Sequence, residues 1–344
     1  MDQTLILNKI LEQQNLNIEE SMYIFNKIMS GELDDIKITS ILIGLKLKGE
    51  TKEEIIGAAK VMREKSLKIN SPQNTVDTCG TGGDMKDTLN ISTSAAIVAA
   101  SAGIKIAKHG NRSVSSKCGS ADMLEHMGFK ITSDTNELEN SLTNQNFCFL
   151  FAQNHHSAMK NVINVRKNLG TRTIFNLLGP LTNPANAKIQ LLGVYSKELV
   201  SMHCNCLKEL GSERALVVHG LDGLDEISLS DKTLINELKD NKINEFIYDS
   251  FVIVVLGCFG IAEVGKMEDW KIKGGKDWKY GYKVIPLSKI VSLHTVVIES
   301  ILGDSFSKSL FNGLSFKSSS FRISKNGEAL KTLFDYCIDS DPAK

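Results

Sequence analysis

The spacing of the apolar residues changes near residue 70 of the chain. Before that point, apolar side chains recur at helical spacing, as at Ile18, Met22 and Phe25. The same spacing continues in residues 38–47 and 52–65. The pattern predicts a small helical subdomain at the start of the chain.

From residue 75 onward, short runs rich in Val and Ile alternate with helical patterns. Such alternation is typical of an α/β fold, in which a mostly parallel sheet carries helices on both faces. We predict strands at residues 75–79, 104–107, 147–152, 189–195, 215–218 and 244–248. Because ligands of these folds bind beyond the carboxyl ends of the strands, the loops at those ends are the expected functional site.

A glycine-rich loop, DTCGTGGD at residues 77–84, includes the end of the first predicted strand. Its three glycines allow positive φ angles and let backbone N–H groups approach an anion. Ser92 and Thr93 are placed to cap a helix over residues 91–102, whose N-terminus favours negative charge. The glycine spacings typical of dinucleotide-binding and NTP-binding loops are absent. The segment predicts a phosphate site, although a plain tight turn would give the same pattern.

A second polar loop, residues 108–122, follows the predicted strand at residues 104–107. Lys108, Arg112 and Lys117 supply positive charge, and four serines supply hydroxyl groups. This combination suits a polyphosphate ligand. A solvated basic loop is the alternative for this segment alone, but two such loops at consecutive strand ends favour a phosphate site.

A third loop, GLDGLDEIS at residues 220–228, is acidic and follows the strand-like residues 214–218. Asp225 and Glu226 offer the hard oxygen ligands that Mg²⁺ prefers when it bridges protein carboxylates to substrate phosphates. Taken alone, the segment is more typical of a turn with solvated acidic residues. Together with two phosphate loops, it predicts a magnesium site.

The composition argues against several classes of function. Lys and Arg total 40 and Asp and Glu total 40 in a chain of 344 residues, so the formal net charge is zero. No overall field therefore favours nucleic acid or an anionic membrane as a partner. No signal peptide or membrane-spanning apolar run is recognisable, and seven scattered cysteines are typical of reduced thiols. We expect a cytoplasmic protein.

Longer motifs are more specific than any of these loops. They stand at residues 77–84, 90–93, 108–112, 165–170, 172–184 and 222–228. In this order and spacing they resemble the anthranilate phosphoribosyltransferase family, from the first helices to about residue 247. The resemblance implies transfer of the phosphoribosyl group from phosphoribosyl pyrophosphate (PRPP) to the amine of anthranilate, with release of pyrophosphate, in L-tryptophan biosynthesis.

The resemblance also implies which residues form the site. PRPP would contact Gly80, Gly83, Asp84, Thr88, Asn90, Ile91, Ser92, Thr93, Lys108, His109, Gly110, Asn111, Arg112, Ser113, Val114, Ser115, Ser116 and Ser120. Anthranilate would contact Gly80, Asn111, His155 and Arg166, whose guanidinium offers a bidentate fork to a carboxylate.

The metal and the catalytic groups follow from the same resemblance. Two Mg²⁺ ions per subunit would use Ser92, Asp225 and Glu226. Lys108, Asp225 and Glu226 would be the catalytic groups, because together with the metal they neutralise the departing pyrophosphate. No covalent enzyme nucleophile is needed.

The expected domains are a helical subdomain over residues 1–70, joined in space by helices from about 156–185, and an α/β domain over residues 71–344. Two departures from the family stand out. The family commonly has proline where Gln153 and Ser157 stand, and residues 249–336 do not follow the family pattern.

We also expect a homodimer, because this family usually pairs through apolar faces of its first helices. Residues 1–50 supply more apolar positions than one helical layer should bury alone, although packing within the subdomain explains part of them. These positions are Ile6, Ile10, Ile24, Ile28, Ile41 and Leu45.

Three alternatives stay open. A pyrimidine nucleoside phosphorylase-like enzyme would share the architecture but bind inorganic phosphate, and it would not need Asp225 and Glu226 as a metal pair. A non-enzymatic relative that binds nucleic acid would be expected to carry a basic face. The divergent C-terminal third could also leave an inactive relative.

Overall fold

A computed structural model describes residues 1–86, 88, 90–112, 118–248, 251–256 and 261–266 of the chain. It begins with the helices α1 (Gln3–Leu11), α2 (Ile18–Met29), α3 (Asp35–Lys48) and α4 (Lys52–Lys65). Each begins after a residue whose side chain accepts a hydrogen bond from the first turn. These caps are Asp2, Asn17, Asp34 and Thr51. The predicted helical start of the chain is therefore confirmed.

The main sheet is seven-stranded and mostly parallel. Its strands are β1 (Val76–Asp77), β2 (Ile106–Gly110), β3 (Phe147–Phe151), β4 (Ile189–Gly193), β5 (Arg214–Gly220), β6 (Thr233–Lys239) and β7 (Lys242–Tyr248). They lie in the order β3-β2-β1-β4-β5-β6-β7. The first five run parallel, whereas β6 pairs antiparallel with β5 and β7 antiparallel with β6. The predicted α/β fold is confirmed, with an antiparallel hairpin at one edge.

Within the main sheet, two details of the strand prediction were wrong. The first strand has two residues rather than five, because the chain leaves the sheet at Thr78 to form the glycine-rich loop. Strand β6 was missed altogether. It reaches β7 through Asp240 and Asn241, both with positive φ, as in the tight turns that suit hairpins.

Helices and short 3-10 turns connect the strands. They are α5 (Ile91–Ser101), α6 (Ser120–His126), α7 (Thr135–Gln145), α8 (Ala152–His155), a 3-10 helix (Ser157–Asn161), α9 (Ile163–Leu169), α10 (Phe175–Leu178), a second 3-10 helix (Gly179–Leu181) and α11 (Glu198–Glu209). Beyond the main sheet, β8 (Phe251–Leu256) and β9 (Ile261–Lys266) form an antiparallel pair. Apart from this pair, the divergent segment 249–336 lies outside the described residues.

The sheet separates the two largest apolar cores of the described residues. Along β4, Leu192 joins the core that contains the first four helices, α10 and α11. Its neighbour Leu191 joins the core on the opposite face, under α5 and α6. This alternation is what a strand covered on both faces requires.

The isoleucines and the leucine on which the dimer expectation rested are buried inside the subunit. Each of the six is at most 1% exposed, in the core of the first helices. That premise was wrong for these six side chains, because they pack within their own subunit and are not available to a partner. No helix among the described residues has both the length and the apolar character needed to cross a bilayer.

Candidate functional site

The glycine-rich loop and the acidic loop meet at the carboxyl ends of the central strands. We call residues 79–84, after β1, the glycine loop, and residues 221–228, after β5, the acidic loop. A methyl group at Gly80 would lie 3.0 Å from the Gly193 carbonyl oxygen and 3.6 Å from the carboxylate of Asp225. The glycine loop, the end of β4 and the acidic loop are therefore in contact, as parallel topology predicts.

The glycine loop is fastened to the end of β4. The Thr81 N–H donates to the Gly193 carbonyl oxygen at 2.9 Å, and the Tyr195 N–H donates to the Thr81 hydroxyl at 3.1 Å. Gly82 and Gly83 have φ angles of 65° and 80°, a backbone conformation that side chains disfavour. The loop is thus a built turn with accessible backbone rather than a loose connection.

Three carboxylates gather beside the glycine loop. Burial raises the pKa of Asp225 to about 8, with further contributions from the neighbouring carboxylates of Glu226 and Asp84. Such crowding of negative charge fits a divalent cation. Among the described residues, no group of three or more His, Cys, Asp or Glu side chains is placed to hold an ion unaided. The donor set suits Mg²⁺, which takes one or two carboxylates and completes its shell with water and phosphate oxygens.

Lys108 is buried next to the first turn of α5. Its ammonium donates to the carbonyl and hydroxyl oxygens of Thr78 and to the Ser92 hydroxyl, each at 3.2 Å. The ammonium thus places positive charge at the first turn of α5, where the helix dipole adds to it.

The predicted cap at the start of α5 was wrong. Asn90 precedes the helix, with no side-chain cap, and Ser92 lies within the first turn. Thr93 donates instead to the Ser120 hydroxyl, at 3.0 Å. The side chains of Ser92 and Thr93 therefore tie α5 to its neighbours. They do not cap the backbone N–H groups of Asn90 and Ile91.

A buried carboxylate that the sequence analysis did not single out connects β1 to β2. Asp77 accepts hydrogen bonds from the N–H groups of Cys79 and His109, both at 3.1 Å, and burial raises its pKa to about 6. Nearby Lys108 counteracts that rise. Asp77 therefore sets where the glycine loop leaves the sheet and where the second polar loop begins.

Buried histidines surround the end of β2. His109 Nδ1 is 3.0 Å from the Gly179 carbonyl oxygen, and its ring centroid is 5.2 Å from that of His156. The neighbouring His155 Nδ1 is 2.7 Å from the Leu67 carbonyl oxygen. Since a carbonyl only accepts, each of these Nδ1 atoms carries the hydrogen and leaves Nε2 as an acceptor. Burial lowers the pKa of all three histidines, to about 4 for His156, so the rings are neutral.

Arg166 of α9 is a desolvated cation. Burial lowers its pKa, and the guanidinium carbon lies 5.4 Å from the centroid of the Phe175 ring. Within the described part of the chain, no carboxylate forms an ion pair with it. A half-buried arginine that lacks a carboxylate partner is suited to receive one from a ligand.

The second polar loop is only partly described. Asn111 Oδ1 accepts from the Arg112 N–H at 2.8 Å and from Gln153, one of the two departures from family proline, at 3.5 Å. Arg112 pairs with the carboxylates of Asp122 and Glu125 on α6, at 2.8 and 2.7 Å. Its predicted contact to PRPP would have to displace or share these pairs.

The remaining predicted residues divide between the described and undescribed parts. Gly110 ends β2, where an added methyl group would lie 2.7 Å from the Phe149 ring, and Thr88 is exposed. The predicted contacts Ser113, Val114, Ser115 and Ser116 lie outside the described residues.

Arg172 was contained in a family motif but was not predicted as a site residue. Its guanidinium donates to the Gly83 carbonyl oxygen, and its guanidinium carbon lies 4.1 Å from the centroid of the Tyr195 ring. The contact spans 89 residues of sequence, and nothing in the local pattern reveals it.

Comparison with known proteins gives relatives over most of the chain. The family described as "Glycosyl transferase family, a/b domain" matches residues 72–254, and the "Glycosyl transferase family, helical bundle domain" matches residues 4–66. The anthranilate phosphoribosyltransferase of Thermoanaerobacter sp. (strain X514) is 47% identical over 280 residues, which are 81% of this chain and 80% of that protein.

Solved structures agree with the sequence relatives. Anthranilate phosphoribosyltransferase from Thermus thermophilus superposes with a TM-score of 0.76 at 32% identity, covering 97% of this chain and 98% of that one. The Saccharomyces cerevisiae enzyme, in complex with PRPP and Mg, gives a TM-score of 0.74 at 25% identity, covering 98% of each chain.

Proposed function

Because this chain belongs to the anthranilate phosphoribosyltransferase family, we propose that it transfers the phosphoribosyl group of PRPP to the amine of anthranilate, in L-tryptophan biosynthesis. The observation that carries this proposal is the convergence at one sheet edge of three features. These are the glycine loop, the buried ammonium of Lys108 and the carboxylate cluster around Asp225. A nucleoside phosphorylase would have no use for the last of them.

The reaction is a displacement at C1 of the ribose. The anthranilate nitrogen forms a bond to C1, the bond from C1 to the pyrophosphate oxygen breaks with its electron pair leaving on pyrophosphate, and the amine passes one proton to solvent or to the released pyrophosphate. Positive charge develops on the ribose ring on the way, as in glycosyl transfer generally. An aromatic amine is weakly basic, so its nitrogen is free to attack without prior deprotonation.

In this proposal the chain itself holds the pyrophosphate. Backbone N–H groups of the glycine loop and of the first turn of α5 face the phosphates, and Lys108 adds positive charge behind Ser92. Asp225 and Glu226 would hold Mg²⁺, which would supply the remaining positive charge for the departing pyrophosphate. We propose two ions per subunit, the second using the Ser92 hydroxyl, which keeps a lone pair beside the one Lys108 occupies.

The remaining predicted contacts complete the PRPP site in this proposal. They run along the glycine loop, the start of α5 and the second polar loop. They comprise Gly80, Gly83, Asp84, Thr88, Asn90, Ile91, Thr93, His109, Gly110, Asn111, Arg112, Ser113, Val114, Ser115, Ser116 and Ser120.

The anthranilate end of the site is assigned to Arg166, Asn111, Gly80 and His155. Arg166 offers the fork for the carboxylate, and neutral imidazoles can border the aromatic ring without a charge to desolvate.

We divide the chain into a helical subdomain over 1–70, packed with residues 156–185, and an α/β domain over 71–344. The described cysteines are free thiols, which suits the reducing cytoplasm.

A fluorescence assay tests the function. Protein with a cooperative thermal transition is mixed with anthranilate, whose fluorescence is followed with and without PRPP and Mg²⁺. We expect the signal to fall only when both are present. Phosphorolysis of a pyrimidine nucleoside in inorganic phosphate without Mg²⁺ would contradict the proposal, and so would folded protein that transfers nothing.

Replacing Arg166 with Ala should raise the KM for anthranilate roughly ten- to hundredfold. The variant loses a charge-assisted contact to the substrate carboxylate, worth about 1.5–3 kcal/mol. Steady-state titration of each substrate at saturation of the other measures the effect. Arg166→Lys is the matched control, because it keeps the charge without the planar fork. Its KM for anthranilate should lie between those of the wild type and of Arg166→Ala. Equal losses for anthranilate and PRPP would contradict the assignment.

We propose a homodimer that pairs through the first helices. The contact would be made by exposed apolar residues of α1 and α3 instead of the six buried ones. Leu5 and Leu11 of α1 and Ile36 and Leu47 of α3 are 59–79% exposed. Light scattering at micromolar concentration should give twice the mass of one chain, and Ile36→Glu with Leu47→Glu should halve it. The control Ile247→Glu places the same charge at an exposed apolar position of edge strand β7. A dimer that only this control disrupts would show that the sheet edge is the contact.

A further inference from the structure

Arg172 stands where the helical part of the chain meets the glycine loop. It lies between α9 and α10, next to Thr171, whose hydroxyl accepts a hydrogen bond from Lys46 of α3. On the other side, the Arg172 guanidinium donates to the Gly83 carbonyl oxygen. One short connection therefore touches both the helical subdomain and the loop assigned to PRPP.

The orientation of the Gly83 carbonyl determines the direction of the next backbone N–H group in that loop. Gly83 has a φ of 80°, and a methyl group on it would lie 3.3 Å from the Arg172 guanidinium nitrogen. In a planar trans peptide the C=O and the following N–H point in opposite directions. A guanidinium that holds the Gly83 carbonyl therefore turns the Asp84 N–H to the opposite side and fixes where the Asp84 side chain begins.

Tyr195 supports both ends of the loop. Its backbone N–H donates to the Thr81 hydroxyl at 3.1 Å, and its ring lies under the Arg172 guanidinium, 4.1 Å from the centroid. Burial raises the pKa of the Tyr195 phenol and nearby Arg172 counteracts the rise, so the phenol stays neutral. A planar cation stacked on a ring keeps one orientation, which a lysine ammonium would not.

We propose that Arg172 is a positioning residue: by clamping the Gly83 carbonyl from the Tyr195 platform, it holds the glycine loop in the shape that receives PRPP. The inference rests on the proposed function for its substrate, but the contact itself does not. The guanidinium directs an N–H to the protein backbone, so its role is to order the loop. Its removal should therefore weaken PRPP and leave anthranilate nearly unchanged, because Gly80, the loop residue assigned to anthranilate, lies against the end of β4 at Gly193 rather than against Arg172.

Hydrogen–deuterium exchange of substrate-free protein tests the clamp without any turnover. In Arg172→Ala and Arg172→Lys, we expect amides of residues 80–84 to exchange on the order of tenfold faster, with the peptides of α10 and β4 unchanged. Lys46→Met is the matched control, because it removes a tether of the neighbouring Thr171 without touching the loop. It should leave exchange at residues 80–84 at the wild-type rate.

Steady-state kinetics provides the second readout. The KM for PRPP should rise about tenfold or more in both Arg172 variants, the KM for anthranilate less than about twofold, and Lys should not rescue Ala. Unchanged exchange in the glycine loop would overturn the proposal even if activity fell. Faster exchange with equal losses for both substrates would reduce Arg172 to a general structural role and overturn it as well. If the wild type transfers nothing, the function fails while the exchange result still decides the clamp.

Discussion

Replacing Asp225 with Asn together with Glu226 with Gln should lower turnover on the order of a thousandfold, while the protein should stay folded. Burial, with further contributions from the carboxylates of Glu226 and Asp84, raises the pKa of Asp225 to about 8, so the ionised carboxylate is costly in the absence of a cation. Amides of the same shape keep the packing and remove the negative charge that a divalent cation needs. The turnover number, measured across a Mg²⁺ series, gives the loss.

The raised pKa of Asp225 gives a prediction of opposite sign for stability. A carboxyl group whose folded pKa is raised opposes folding increasingly as the pH rises from its unfolded value to the folded one. The double variant should therefore melt no lower than the wild type in metal-free buffer near pH 8.

For the loss of turnover, Asp231→Asn is the control, because Asp231 is exposed on the connection that follows the acidic loop and its replacement should keep full activity. Near wild-type turnover of the double variant at low Mg²⁺ would contradict the assignment.

The family motifs and a mostly parallel sheet were predictable from the sequence, because both are encoded locally, whereas the order of the strands was not predicted. Period and turn residues mark each strand and helix, and topology alone brings the carboxyl ends together. The family resemblance is confirmed by matches over residues 4–66 and 72–254. Only geometry was then needed to see that Gly80 contacts Asp225.

What the sequence could not give are contacts between distant residues. Ser92 looked like a cap, but it accepts a hydrogen bond from Lys108, which is sixteen positions away on another strand. Strand β6 was missed because buried Asn236 breaks the apolar alternation that marks a strand. The dimer premise failed because the six apolar side chains of the first helices pack inside their own subunit, in a core that also contains residues far along the chain.

Gly193→Ala should lower turnover about a hundredfold or more, through a clash that only the folded chain creates. The new methyl group would overlap the Asp225 carbonyl oxygen, lie 2.6 Å from its carbonyl carbon and 3.5 Å from the Glu226 nitrogen. All three atoms are backbone, so no side chain can turn aside, and the acidic loop or the end of β4 must shift. Such overpacking typically costs about 1–3 kcal/mol of folding free energy.

The effect on the site should exceed the effect on stability, because Gly193 serves two loops at once. Its carbonyl oxygen accepts the Thr81 N–H, so a shift that frees Asp225 also moves the glycine loop. Gly179→Ala is the control: Gly179 has a helical φ of −47°, nothing lies within 4 Å of its added methyl group, and activity should persist. The kcat and the melting temperature of both variants are measured together. A fully active Gly193→Ala would mean that the acidic loop yields freely, and the Asp225 carboxylate would then not be held in place by the end of β4.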